Sequence, residues 1–193
     1  MVVFHLAIML LKLAFVGLLG LHGLFSTERH LMIVVNHMTG MIYNYHQVTF
    51  SAEETVQAKQ AYERELEQHD RKVKHYHADN GVFDSMEFRE SVDILNQKIT
   101  FSGVGAHHQN GKVERAIQMV VEKARTVMLH ASMHWPETFS MDLWPYAIDY
   151  AVFIYNHTPR MEDGVTPIEH MCNIMVLAFL TTVWIARSAL PFW

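Results

Sequence analysis

The chain has no acidic side chain before Glu28 and no Asp before Asp70. That absence excludes any chemistry needing a carboxylate from the first stretch of the sequence. Cysteine is almost as scarce. Cys172 stands alone, which rules out an internal disulfide and a cysteine-based zinc finger and leaves the redox compartment open. Basic excess is missing too, since 15 Lys and Arg face 20 Asp and Glu for a net charge of −5. A free-standing DNA binder ordinarily carries positive charge against phosphate, so any nucleic-acid contact here would rest on a local patch. There is no internal repeat and no low-complexity segment.

What is present suits one domain of ordinary size. The 193 residues are 50% hydrophobic, which argues against disorder and allows a substantial core. Met1 to Phe25 is almost wholly apolar, broken only by His5, Lys12 and His22. By length it could cross a membrane or act as a signal sequence. Against both, no positive charge precedes the run, Lys12 interrupts it, and Phe25-Ser-Thr-Glu28 is a poor cleavage site. Leu, Met and Ala dominate, so a helix is expected. If the stretch serves the fold instead, part of it should pair with the Leu31 strand.

Leu31 to Val35 and Met41 to Val48 read as strands joined by Asn36-His-Met-Thr-Gly40, a hairpin with Gly in its turn. Ser51 to His69 reads as a helix opened by a Ser51-Ala-Glu-Glu54 capping box. Tyr62, Leu66 and His69 continue one face of it, and Lys59, Glu63, Glu65 and Glu67 fall on solvated faces. In Lys72 to His77 (KVKHYH), alternation would put Val73, His75 and His77 on one face of a strand. Asp84 is expected to cap a helix running to about Gln97, with Phe88, Val92 and Leu95 inward. Ile99 to Phe101 is a short strand. From Gly111 to about Ser132 an apolar stripe of Val113, Ile117, Val120, Ala124 and Val127/Met128 marks a long helix. Leu143 to about His157 forms the next, ended by Asn156-His-Thr-Pro159. Asn173 to Ala186 is apolar but too short for a membrane span.

Two carboxylates stand where elements meet loops. Asp79 follows a strand and precedes the Asn80-Gly81 turn, and Glu114 lies in the first turn of the long helix, 35 positions on (114 − 79). Such a pair can converge and offer hard oxygen ligands to a divalent ion. For each the bland reading is a turn residue or a helix N-terminal charge. His75, His77, His107 and His108 could be imagined as a zinc cluster, although four imidazoles without an ordered second shell are weak evidence.

HADNG (His77 to Gly81), ITFSGVGAHHQNG (Ile99 to Gly111), the VER holding Glu114, and LWPYAIDYAVFIYNHTPR (Leu143 to Arg160) carry a stronger signal. Together they resemble the catalytic core of copia-type retrotransposon integrases, from Ser26 to His170. The resemblance implies an α/β, ribonuclease H-like integrase core, a mixed sheet flanked by helices with its first strand missing or replaced. It divides the chain into an apolar N-terminal segment (1–25), the core-like domain (26–170) and an apolar tail (171–193). It also implies DNA integration by strand transfer with Mg²⁺ or Mn²⁺ held by three carboxylates. Asp79 and Glu114 match the second and third, one residue closer than the family's commonest spacing. The first would fall near Val16, where the chain reads Ala-Phe-Val-Gly-Leu-Leu, so the resemblance implies a catalytically defective copy. Asn36 likewise stands where the family commonly has an acid that is not a metal ligand. Gln109, Asn110, Lys112, Arg115 and Lys123 are the candidate DNA contacts, with DNA and a second copy of the chain as partners. The family points to the nucleus. The alternatives are a non-catalytic binding or dimerisation module and a membrane-tethered relic using residues 1–25.

Overall fold

The computed structural model describes residues 3–12, 30–79, 81–103, 111–159 and 164–172. Five strands make one mixed sheet: β1 Val3–Lys12, β2 His30–Asn36, β3 Ile42–Gln47, β4 Lys72–Ala78 and β5 Lys98–Phe101. Their order is β3-β2-β1-β4-β5, with β1 antiparallel to β2, β2 antiparallel to β3, and both β1–β4 and β4–β5 parallel. The helices are α1 Ala52–Glu67, α2 Met86–Ile94, α3 Gly111–His134, α4 Trp144–Asn156 and α5 Pro167–Cys172.

Val3–Lys12 is therefore a strand, and the helix expected from its composition does not form there. It pairs with the Leu31 strand, Leu11 opposite Leu31, and sits in the middle of the sheet. Helix propensity is worth only tenths of a kcal/mol per residue, so two flanking strands that take up the backbone hydrogen bonds override it. A central strand also reads as a continuous apolar run, without the alternation that would announce it. The first strand is thus not missing but built from apolar sequence. Ala14 to Leu19, including Val16, and the tail from Asn173 lie outside the described residues.

β2 divides the core. Leu31, Ile33 and Val35 join α3 and α4 on one face, while Met32 and Val34 join α1 and α2 on the other. The α3 stripe is as expected, with Val113, Ile117, Val120, Ala124 and Met128 buried and Ala116 added. The Asn36–Gly40 hairpin also forms, with Gly40 at φ +70, a region open to glycine at no steric cost. Asn36 Oδ1 accepts hydrogen bonds from the Met38 and Thr39 amides at 3.0 and 3.3 Å. An acid at this position would supply the same acceptor, so Asn keeps the turn intact.

Local detail departs from the sequence pattern in four places. Between β1 and β4 the register slips, Phe4 facing Val73 and His5 facing His75, so Lys74 is an extra residue in β4. This bulge moves Val73 to the core with Tyr76 and Ala78 and leaves His75 and His77 on the opposite side. Ser85, not Asp84, caps α2, its hydroxyl accepting from the Phe88 amide, and Asp84 instead pairs with Arg89. Leu95 lies just past the end of α2 and is exposed. Lys59, expected on a solvated face, is 1% exposed.

Lys59 Nζ sits 3.1 Å from the Glu63 carboxylate and donates to the Ser91 carbonyl at 3.2 Å. Tyr76 Oη donates to the same carboxylate at 2.7 Å, and Gln97 Nε2 donates there too. Burial holds the Lys59 ammonium below its usual pKa, with Glu63 opposing that shift. On the far edge of the sheet, Asn156 closes β3 from α4. Its amide donates to the Ile42 carbonyl at 2.7 Å and accepts the Ile42 amide at 2.9 Å.

Removing one member of a buried ion pair strands the other charge, whereas removing the charge itself relieves burial. Glu63→Ala is expected to cost about 3–5 kcal/mol of unfolding free energy. Lys59→Met should cost far less, because Tyr76 and Gln97 still donate to the Glu63 carboxylate. Urea unfolding of the two variants checks this, and equal losses would contradict it.

Candidate functional site

β4 ends at Ala78, whose carbonyl accepts the Ser102 amide at 2.9 Å, and Asp79 is the next residue. The chain then turns at Gly81, φ +119 and ψ −128, a conformation essentially restricted to glycine. A single 3-10 turn over Val82–Asp84 follows, pinned by fully buried Phe83, whose ring meets Phe88 edge-on at 5.3 Å. The stretch from His77 to Phe83 thus supplies a strand end, a glycine turn and an aromatic anchor, and it fixes where Asp79 stands.

Asp79 is half-buried, and its Oδ1 is buried without a protein hydrogen-bond partner. Burial raises its pKa from 3.8 to about 6, against a smaller opposing pull from its own backbone amide. Glu114 is half-buried in the first turn of α3, between the buried anchors Val113 and Ala116. α3 packs on β1 and β2 and along α4. Continuing the β1–β4 register one step past Ile8 and Ala78 puts Met9 level with Asp79 on the neighbouring strand. No carboxylate is available there. Among the described residues no group of three His, Cys, Asp or Glu is arranged to hold a metal ion. Two hard-oxygen donors suit at most one Mg²⁺ or Mn²⁺ with water filling the remaining positions, and they do not fit a pair of ions.

The histidines of β4 are committed elsewhere. His75 Nε2 and His77 Nδ1 lie 2.9 and 3.0 Å from Thr100 Oγ1, and His77 Nε2 lies 3.3 Å from Ser102 Oγ. With both ring nitrogens engaged, His77 is a brace between β4 and β5 rather than a zinc ligand. His107, His108, Gln109 and Asn110 lie outside the described residues. Lys112, Arg115 and Lys123 are exposed on α3. Lys123 also lines an open cleft of about 530 Å³ between α3 and α4, with Glu122, Thr126 and Tyr150. Sequence reading missed a surface clasp on that side, in which Asp149 of α4 accepts from Asn44 Nδ2 and meets His46 Nε2, both at 2.7 Å. Its members lie more than a hundred positions apart, so only the fold brings them together.

No protein-family model matches the sequence, and none of the curated proteins matches it. Solved structures do align with it. The catalytic core domain of HTLV-2 integrase in complex with magnesium, in its dimeric form, superposes with a TM-score of 0.62 at 19% identity, covering 86% of this chain and 94% of that one. The trimeric form gives 0.62 at 18%, with 88% and 95% covered. A chain of the simian T-cell lymphotropic virus intasome in complex with the PP2A regulatory subunit B56 gamma gives 0.62 at 18%, covering 91% of this chain. The present chain spans about half of that intasome chain, 55% of it. At these identities the likeness establishes the fold, which is that of an integrase catalytic core of the ribonuclease H-like class.

The raised pKa of Asp79 makes stability depend on pH with a definite sign. The folded state holds the proton more tightly than the unfolded chain, so this group's favourable contribution is complete below pH 3.8 and lost as pH rises through about 6. Asp79→Asn, neutral throughout, should gain on the wild type across that window and hold the gain above it. Thermal melting from pH 4 to 8 measures this, and a constant difference would contradict it.

Proposed function

We propose that this chain derives from a metal-dependent DNA strand transferase of the integrase kind, from the copia-type retrotransposon branch, and that it no longer catalyses. The observation that supports the reading is an integrase-like fold that carries Asp79 just past the end of β4, Glu114 in the first turn of α3, and no acid on β1. The finer branch assignment rests on HADNG, HHQNG and the NHTP ending at Pro159. Asp79 and Glu114 are the residues to hold a divalent ion, as the HTLV-2 core is described in complex with magnesium. A divalent ion held by them would supply charge stabilisation to a phosphoryl oxygen, and a second ion would need a third carboxylate to hold it. This chain lacks that carboxylate, so no step of the transfer is assigned to it. DNA contact falls to Lys112, Arg115 and Lys123 of α3, with Gln109 and Asn110 preceding it. Self-association belongs to the same reading, since the HTLV-2 core forms a dimer and a trimer. So does nuclear residence.

Membrane tethering is the less favoured alternative. Val3–Lys12 lies inside the sheet, and no helix among the described residues is long and apolar enough to cross a membrane.

Loss of a bridging ligand should cost well over about 10³-fold in rate, some 4 kcal/mol of barrier. The purified chain is therefore expected to give no detectable 3′-processing or strand transfer with Mn²⁺. Any Mn²⁺ bound should bind weakly, and more weakly still after Asp79→Asn or Glu114→Gln. Robust transfer by the wild type, abolished by Glu114→Gln, would overturn the reading by revealing another third ligand.

A further inference from the structure

The C-terminal end of α3 carries two histidines one turn apart, His130 and His134, both exposed. Their rings stack at 4.0 Å between centroids and 22° between planes. His134 Nδ1 lies 3.0 Å from the His130 carbonyl oxygen. A carbonyl only accepts, so that nitrogen is the donor, and in the neutral ring this leaves the lone pair on Nε2. A backbone carbonyl fixing the tautomer in this way is the usual support of a metal-ligating imidazole. The preceding turn offers no carboxylate that would turn the pair into an ion-paired surface patch, the nearest acids in sequence being Glu122 and Glu137.

We propose that His130 and His134 form a two-imidazole chelate for a borderline divalent transition-metal ion, Cu²⁺, Ni²⁺ or Zn²⁺. Nitrogens at about 2 Å from one ion lie roughly 3 Å apart. The two ring centroids lie 4.0 Å apart on the same face of the helix, so the imidazoles are close enough for side-chain rotation to turn both Nε2 atoms toward one ion. Imidazole suits these ions and not Mg²⁺, so the site is chemically distinct from the Asp79 and Glu114 pair. It is also remote. Sixteen residues of helix separate His130 from Glu114 (130 − 114), about 24 Å along the axis. No third side chain of the described residues completes a cluster, so water fills the other positions.

Trp135 provides a reporter, its ring 5.8 Å from that of His134 and 6.4 Å from that of His130. The full-length chain would be titrated with CuCl₂ and, separately, NiCl₂, following tryptophan emission and the heat of binding. Copper should quench an emission component that is absent from Trp135→Phe. His134→Ala should weaken the site by about tenfold or more, the scale reached even by changes around metal ligands. The Ser132→His/His134→Ala double variant keeps the histidine count but puts the imidazoles two residues apart, on different sides of the helix, and should bind no better than His134→Ala. Should His134→Ala unfold the helix end by circular dichroism, His130→Gln serves in its place. Equal affinity and quenching across these variants would overturn the proposal, whatever the outcome of the strand-transfer assay.

Discussion

The architecture depends on β1 lying between β2 and β4. Without it the β2–β3 hairpin and the parallel β4–β5 pair are two separate pieces of sheet, each with an open edge. Such edges expose unpaired amides and carbonyls, and two-stranded pieces are marginal alone. Once β1 pairs along both its edges, helices can cover both faces. α1 and α2 then pack on one side and α3 and α4 on the other, with β2 feeding alternate residues to each. Every placement in the candidate site is referred to this strand, because β4 takes its register from it and α3 packs across it.

Asp79 is held by backbone requirements rather than by side-chain partners. The end of β4, the Gly81 conformation and the buried Phe83 ring determine its position, while one of its oxygens is buried without a partner. A carboxylate placed so costs stability as an anion unless a cation or a proton offsets it. The pKa near 6 reflects that cost. Glu114 stands in the first turn of α3, where the helix dipole favours a Glu in any fold. The two acids therefore differ as evidence: Asp79 sits where stability alone would not put it, and Glu114 sits where stability would.

Where the apolar pattern matches a single period, the fold was legible in the sequence. The α3 stripe, the Ser51 cap, the hairpin around Gly40 and the start of β4 follow from local chemistry, and the structure keeps them. Three things were not legible, each because a distant group decides them. β1 reads as a helix until two neighbouring strands claim its backbone. The Lys74 bulge is a property of the β1–β4 register, invisible in KVKHYH by itself. Lys59 reads as surface until Ser91 of α2 and the Tyr76 ring of β4 close over it beside Glu63 of its own helix. The candidate site was legible as two carboxylates at element ends, and their resemblance to integrase motifs supplied the fold. Residues 104–110, which join β5 to α3, contain two of the expected DNA contacts and lie outside the described set.

Fold and chemistry make opposite demands on β1. A strand with partners on both edges and helix layers on both faces is stabilised by apolar side chains, at about 25 cal/mol for each Å² removed from water. A carboxylate on such a strand carries a desolvation cost that only a bound cation or a proton removes. Catalysis by three acids is therefore maintained against the preference of the sheet. On the reading proposed above, an apolar residue in place of such an acid suits a strand in the middle of a sheet, whereas replacing Gly81 or Phe83 would destabilise the fold. A β1 read as Val-Phe-His-Leu-Ala-Ile-Met-Leu-Leu-Lys beside an intact HADNG turn is the combination these opposing costs favour. The glycine and the aromatic anchor persist because the sheet needs them, and Asp79 stays in place because they hold it there.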